Sequence, residues 1–173
     1  MNIPGGGKND IPNRLKRQFA IFHVPPPSPA AINNIFGQLM DGRFHPNVFS
    51  QPVVAMARRL VPLTMALWGR VQAKMLPTPA KFHYLFNMRD LSKVFQGVLL
   101  AQRDRFALPA AAPPGAAGPA GFGGQVASPE GYLLGLWVHE CRRVFGDKLA
   151  TTEDKAWVDA LLQELCQQVW VLC

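Results

Sequence analysis

The chain has 173 residues, of which 49% are hydrophobic and 17% are charged, a composition that indicates a folded protein with a real core and argues against global disorder. Its formal charge of +7 favours a polyanionic partner, such as nucleic acid, a nucleotide phosphate or an acidic protein surface, without choosing among them. No apolar run reaches the ~18 residues of a membrane span. Three cysteines without CxxC spacing predict neither a disulfide framework nor a zinc site, and they suit a reducing, intracellular compartment.

A glycine run at residues 5–7, followed by Lys8, opens the chain. Glycine loses the most backbone freedom on ordering, so this run predicts a loop that bends or approaches another group closely. The run is similar to half of a phosphate-binding loop. However, the GxxxxGK[ST] pattern needs a preceding strand and a Ser or Thr after the lysine, whereas Asn9 follows here. We therefore interpret the run as a loop of another kind.

A short basic helix is predicted next, with Asn9 or Asp10 as its cap and Arg14 and Arg17 three residues apart on one face. One interpretation is a solvated surface, which is the ordinary role of such cations. The other is a guanidinium aimed at a transferring phosphate, because its planar fork is permanently charged and matches phosphate oxygens. Both remain open at this point.

The apolar run at residues 19–24 predicts a short buried strand that stops at the three prolines 25–27. In this interpretation Leu15 and Phe19 hold the two arginines rigidly. Such a strand needs a partner, and an unpaired one would be an exposed hydrophobic edge.

Helical spacing of apolar residues and helix start signals account for most of the remaining chain. Ser28 and Ser128 each precede a proline and predict a helix start, and Asn87 is a third predicted cap, which places Arg89 in the first turn of its helix. Pro62 predicts a kink or a break in the longest helix. The predicted helices cover residues 28–42, 51–76, 88–103, 128–146 and 152–169, and the apolar face of the first is Ile32, Ile35, Phe36 and Leu39.

Two other patterns give weaker indications of function. The sequence His139-Glu140-Cys141 is not a zinc helix, because HExxH requires a second histidine where Arg143 stands, so no metal site is predicted. Basic residues interleaved with aromatics lack an RNA-binding signature, so nucleic acid is not an expected partner.

Three blocks carry a resemblance to a known family. PGGGKNDIPNRLKRQF at 4–19 resembles a motif stretch in the third AAA+ module of axonemal dynein heavy chains, and LPTPAKFHYLFNMRDLS at 76–92 resembles the lid of that module. WVHECRRVF at 137–145 resembles the helical segment that leads toward the fourth module. The blocks occur in family order and span nearly the whole chain.

The resemblance implies a role for each of three residues. Asn2 falls at the sensor I position, which reads the terminal phosphate. Arg17 falls at the arginine-finger position, which reaches the nucleotide of the neighbouring module, and Arg89 falls at the sensor II position in the lid. Lys8 and Arg14 are secondary basic candidates. Phosphoryl transfer depends on cations placed around the redistributing charge, which agrees with these roles.

The fold class implied is mainly α: the remnant of an AAA+ α/β large subdomain with one short strand, followed by an all-α lid bundle. The predicted division is a large-subdomain tail at 1–27, a lid at 28–106, a flexible Ala/Pro/Gly-rich linker at 107–127, and a helical segment at 128–173 that leads to the next module. The linker is longer than the family's usual connection.

The resemblance further implies that the parent module uses ATP or ADP with Mg²⁺, and that its partners are neighbouring AAA+ modules, dynein intermediate and light chains and microtubules in the axoneme of a cilium or flagellum. This sequence begins at the sensor I stretch and contains no Walker A loop or Walker B acid, so we expect this polypeptide alone to bind no cofactor and not to hydrolyse ATP. The alternative is a small helical adaptor or regulatory fragment whose basic face binds an acidic protein partner.

Overall fold

The computed structural model describes residues 10–22, 24–102 and 128–171, with side chains up to residue 168. The predicted mainly helical fold class is confirmed for these residues, in which the one extended pairing is an isolated bridge between Thr78 and Lys81. The elements in chain order are α1 (Asn13–Lys16), α2 (Pro29–Arg43), α3 (Gln51–Lys74), α4 (Met88–Leu99), α5 (Pro129–Cys141), a π-helical turn (Arg142–Gly146) and α6 (Thr152–Val171).

Two helices begin at the Ser-Pro pairs that the sequence singled out. The Ser28 hydroxyl oxygen accepts a hydrogen bond from the Ala31 N–H at 3.2 Å, and the Ser128 hydroxyl oxygen accepts one from the Gly131 N–H at 3.3 Å. Each bond satisfies an N–H that has no partner inside its helix. The prolines occupy the first turn, where the missing N–H costs nothing.

One hydrophobic core joins the helices on both sides of residues 103–127. Helix α3 packs against α2, α5 and α6, and α5 packs against α4, so the C-terminal helices share the core of α2–α4. Among the largest side chains that are almost completely buried are Phe44, Phe95, Trp137 and Phe145. The Trp137 ring N–H donates to the Thr64 hydroxyl at 2.8 Å, which satisfies a polar group inside the core.

Helices α4 and α5 approach closely at Gly97. A Cβ atom at this position would overlap the Glu140 carboxylate, so glycine is the residue that fits without movement. Glu140 is buried, and its Oε2 accepts from the Arg143 Nε and Nη2 atoms at 2.9 and 2.6 Å. These bonds raise the pKa of the Arg143 guanidinium.

The predicted buried strand at residues 19–24 is wrong for the described residues of that segment. Phe19, Ile21, Phe22 and Val24 are exposed, and no other described segment pairs with them. A strand is stabilised by pairing, and side-chain preference for the β region cannot supply the partner. The idea that Leu15 and Phe19 hold the arginines rigidly is also wrong here, because both side chains are about half exposed.

The helix boundaries and faces differ from the predictions most clearly at three places. Helix α3 continues through Pro62, so a break there is excluded; Pro62 lies on the exposed side, where water can reach the carbonyl left without an N–H donor. Helix α4 ends at Leu99 rather than near residue 103. In α2, Ile35 and Leu39 are half exposed, and the buried residues are Ile32, Phe36 and Met40. The predicted linker at 107–127 lies outside the described residues.

Candidate functional site

Arg89 lies in the first turn of α4, as predicted, and its side chain is exposed. No hydrogen bond or ion pair engages its guanidinium among the residues that the structure describes. A permanently charged fork of N–H donors is therefore available to an anion at this point of the surface.

The backbone around Arg89 is held by a reciprocal cap. The Asn87 side-chain oxygen accepts from the Arg89 backbone N–H at 3.0 Å, while the Asn87 N–H donates to Asp90 Oδ2 at 2.9 Å. Asp90 is buried, with only 6% of the residue exposed. This capping box satisfies N–H groups at the helix start and fixes the direction in which the chain enters α4.

Lys148, from the loop between the π-helical turn and α6, contacts the same segment. Its ammonium donates to the Leu85 carbonyl at 2.5 Å, lies 3.3 Å from Asp90 Oδ2, and sits 4.6 Å from the centre of the Phe86 ring. From the other side, the Gln72 side-chain amide of α3 donates to the Phe86 carbonyl at 2.5 Å. Two elements distant in sequence therefore hold the backbone that leads into Arg89.

A second cluster anchors the same connection further upstream, at the start of α6. Asp154 Oδ2 accepts from the Lys81 ammonium at 2.7 Å, from the Tyr84 hydroxyl at 2.8 Å and from the Thr151 hydroxyl at 2.6 Å. The Tyr84 oxygen in turn accepts from the Ala150 N–H at 2.9 Å. The Lys81 and Thr151 bonds lower the pKa of the Asp154 carboxyl to about 2, and the bond to Asp154 raises the pKa of the Lys81 ammonium.

The opposite end of α4 is capped by a cation from α2. Arg43 donates through Nε to the Leu99 carbonyl at 3.1 Å and through Nη2 to the Ala101 carbonyl at 2.5 Å. A positive charge beside unpaired carbonyls at a helix C-terminus is favourable for both hydrogen bonding and the helix dipole. Helix α4, which carries Arg89, is thus fixed at both ends.

The N-terminal candidates lie apart from this arrangement. Helix α1 buries none of its residues, and Arg14 and Arg17 are exposed. Lys16 pairs with Asp10 at 2.9 Å, and this bond lowers the pKa of the Asp10 carboxyl. Arg17 follows the last residue of α1, and its N–H donates to the Asn13 carbonyl at 3.2 Å.

The structure does not join the two groups of candidates. No hydrogen bond or ion pair among the described residues links 10–22 to the helix bundle or to Arg89. Asn2 and Lys8 lie outside the described residues. Sequence reasoning missed Lys148, Gln72 and Asp154, because each meets its partner across a long sequence separation that leaves no local spacing signal.

The comparison with protein families identifies the class. Residues 60–108, which run from the middle of α3 through α4, match the family model described as the AAA+ lid domain. Arg89, its cap and the connection that leads to it all fall inside the matched range.

Relatives define the family more narrowly. The chain is 70% identical over 167 residues to the dynein gamma chain of the flagellar outer arm from Chlamydomonas reinhardtii, which covers 96% of this chain. It is 41% identical over 166 residues to dynein axonemal heavy chain 5 of Rattus norvegicus and 40% identical over 167 residues to dynein axonemal heavy chain 8 of Homo sapiens, each covering 95% of this chain. The chain belongs to the axonemal dynein heavy chain family, and it spans only 3–4% of the length of these relatives.

None of the described helices combines the length and the apolar character needed to cross a membrane. Within the same residues, no group of three or more His, Cys, Asp or Glu side chains comes close enough together to hold a metal ion.

Proposed function

We propose that this chain senses bound nucleotide and closes as a lid within an AAA+ module, the third, of a dynein heavy chain that drives microtubule-based movement of cilia or flagella. The observation that carries the proposal is the state of Arg89: an exposed guanidinium, without a partner among the described residues, on a helix end fixed by a capping box. A sensor needs a free charge on a rigid support, and Arg89 has both.

The donor set suits one part of a nucleotide site. Arg89 can offer N–H donors to phosphate oxygens, which it contacts as sensor II of its own module. Mg²⁺, which is commonly bound through one or two carboxylates together with the nucleotide phosphates, is proposed to be held by other residues of the parent module. When bound, ATP supplies the terminal phosphoryl group, and the lid reports whether that group has been hydrolysed.

The N-terminal residues are proposed to serve two different nucleotides. Asn2 acts as sensor I on the nucleotide of this module, and Arg17 acts as an arginine finger toward the nucleotide of a neighbouring module, with Lys8 and Arg14 as secondary cations. Arg14 on α1 and Arg17 directly after it are both exposed, and α1 buries none of its residues, which supports a target outside this chain. Neighbouring AAA+ modules, intermediate and light chains and microtubules are the proposed partners of the parent, in the axoneme.

The relatives favour this motor hypothesis over a helical adaptor for an acidic partner, since the matches cover 95–96% of the chain. The two hypotheses also differ in what Arg89 must do. A sensor depends on one particular guanidinium, whereas a basic docking face depends on total charge.

The test is Arg89→Ala in the dynein heavy chain that contains this sequence, with equilibrium binding of a fluorescent ATP or ADP analogue as the measurement. Loss of a charge-assisted hydrogen bond predicts an affinity about 10- to 100-fold weaker. The matched control is Lys93→Ala, which removes another exposed cation one turn further along α4, and we expect this variant to bind nucleotide as the wild type does. Equal affinity losses in the two variants would contradict the sensor role.

A further inference from the structure

We propose that Lys148 is a positioning residue for Arg89: it fixes the backbone that presents the guanidinium, although it lies 59 positions later in the chain and outside the matched lid range. The functional consequence rests on the sensor role proposed above, whereas the positioning itself does not. The inference means that the C-terminal helical segment contributes directly to the lid's sensor.

The first support is geometric. One ammonium group bridges the Leu85 carbonyl, at 2.5 Å, and Asp90 Oδ2, at 3.3 Å, which lie on either side of Arg89 in the chain. A single donor group bound at both points restrains the segment between them. The Phe86 ring under the ammonium, 4.6 Å from ring centre to nitrogen, limits the directions in which the lysine can move.

The second support is the state of Asp90. Its side chain is only 8% exposed, and the same Oδ2 atom accepts the Asn87 N–H that closes the capping box. A carboxylate so far out of water needs a positive partner, and among the described residues Asp90 forms its ion pair with Lys148. Without that partner, the carboxylate gains by turning toward water, and the cap at Asn87 is lost.

The third support is the anchoring of Lys148 itself. The loop that carries it is held two residues later, where the Ala150 N–H donates to the Tyr84 hydroxyl at 2.9 Å. It is held again where the Thr151 hydroxyl donates to Asp154, which also accepts from Lys81. The backbone that carries Lys148 is therefore fixed. A shift of the start of α6 would move Lys148 and, through it, the entry to α4.

The experiment uses the full 173-residue chain and compares amide hydrogen exchange in wild type, Lys148→Met and Lys148→Arg. We expect Lys148→Met to accelerate exchange of the Asn87 and Arg89 amides about tenfold, the effect of losing one or two hydrogen bonds, with amides of α3 unchanged. Lys148→Arg keeps the charge and should restore most of the protection. Arg70→Met, which removes the 2.8 Å ion pair to Glu164 elsewhere on the bundle, is the control and should leave both amides protected.

A purely structural lysine would give a different result. It would raise exchange across the whole bundle in step with a lower melting temperature, and that outcome, or unchanged exchange at Asn87 and Arg89, would overturn the proposal. If Lys148→Met fails to fold, Lys148→Gln removes the positive partner of Asp90 while keeping a polar side chain and leaving the capping box residues themselves unchanged. The same local acceleration is then expected, and its absence would also overturn the proposal.

A second measurement separates this inference from the proposed function. In the heavy chain, Lys148→Met should weaken nucleotide binding, and it should weaken it no further once Arg89→Ala is present. An additional loss in the Arg89→Ala background would show that Lys148 does not act through Arg89. If Arg89→Ala binds nucleotide normally while the local exchange changes are seen, the sensor role is wrong and the positioning stands.

Discussion

The Asp154 cluster makes the stability of the bundle depend on pH in the acid range. Its carboxyl accepts hydrogen bonds from Lys81, Tyr84 and Thr151, and its pKa falls from the ordinary 3.8 to about 2. The folded chain therefore keeps Asp154 ionised where the unfolded chain protonates it. The resulting stabilisation is complete above the unfolded pKa and is lost as the pH falls through 3.8 toward about 2.

The interval between the two pKa values corresponds to at most about 2.4 kcal/mol. The Asp154 side chain is 19% exposed, and solvent screening reduces the expected contribution to about 1–2 kcal/mol. At pH 3, about half of it should already be gone.

The assay is urea unfolding of wild type and Asp154→Asn at pH 6 and pH 3. We expect Asp154→Asn to lower the free energy of unfolding by about 1–2 kcal/mol at pH 6 and by clearly less at pH 3. Asp159→Asn is the control. Asp159 lies on the same helix and forms an ion pair with Arg142, and the side chains of both residues are more than 40% exposed. A loss that is the same at both pH values, or no larger than in Asp159→Asn, would refute the reasoning.

Two further predictions concern the packing of the bundle. Thr64→Val leaves the buried Trp137 ring N–H without an acceptor and should lower the free energy of unfolding, measured in urea, by about 1–3 kcal/mol. A change below about 0.5 kcal/mol would contradict the importance of that bond. Arg43→Met removes two hydrogen bonds to the carbonyls of Leu99 and Ala101 and should destabilise the chain by about 1 kcal/mol, with faster amide hydrogen exchange in the last turn of α4. Amides there that stay as protected as in the wild type would show that α4 does not need capping by Arg43.

Local chemistry made the helix starts predictable. Ser28, Ser128 and Asn87 act on N–H groups two or three residues away, so the sequence alone contains both partners of each bond. The capping box at the start of α4 is of the same kind, because Asn87 and Asp90 lie three residues apart. For this reason the predicted position of Arg89, in the first turn of α4, was correct.

The remaining features depend on what lies opposite in space. In α2, helical spacing accepts Ile35 and Leu39 as readily as Met40, and only the position of α3 and α4 decides which side is buried. Pro62 was expected to kink or break α3, but its place on the exposed side lets the helix continue. The support of Arg89 by Lys148 joins residues whose separation no periodic pattern records.

The single core shared across residues 103–127 has a consequence for how the chain can acquire its structure. Helices α3 and α4 bury their apolar faces against α5, so a polypeptide ending before residue 128 would leave those faces in water. Lengthening the intervening stretch costs little, since doubling a loop adds only about 0.6 kcal/mol of closure entropy. The α2–α4 bundle should therefore reach its full stability only once α5 and α6 are present.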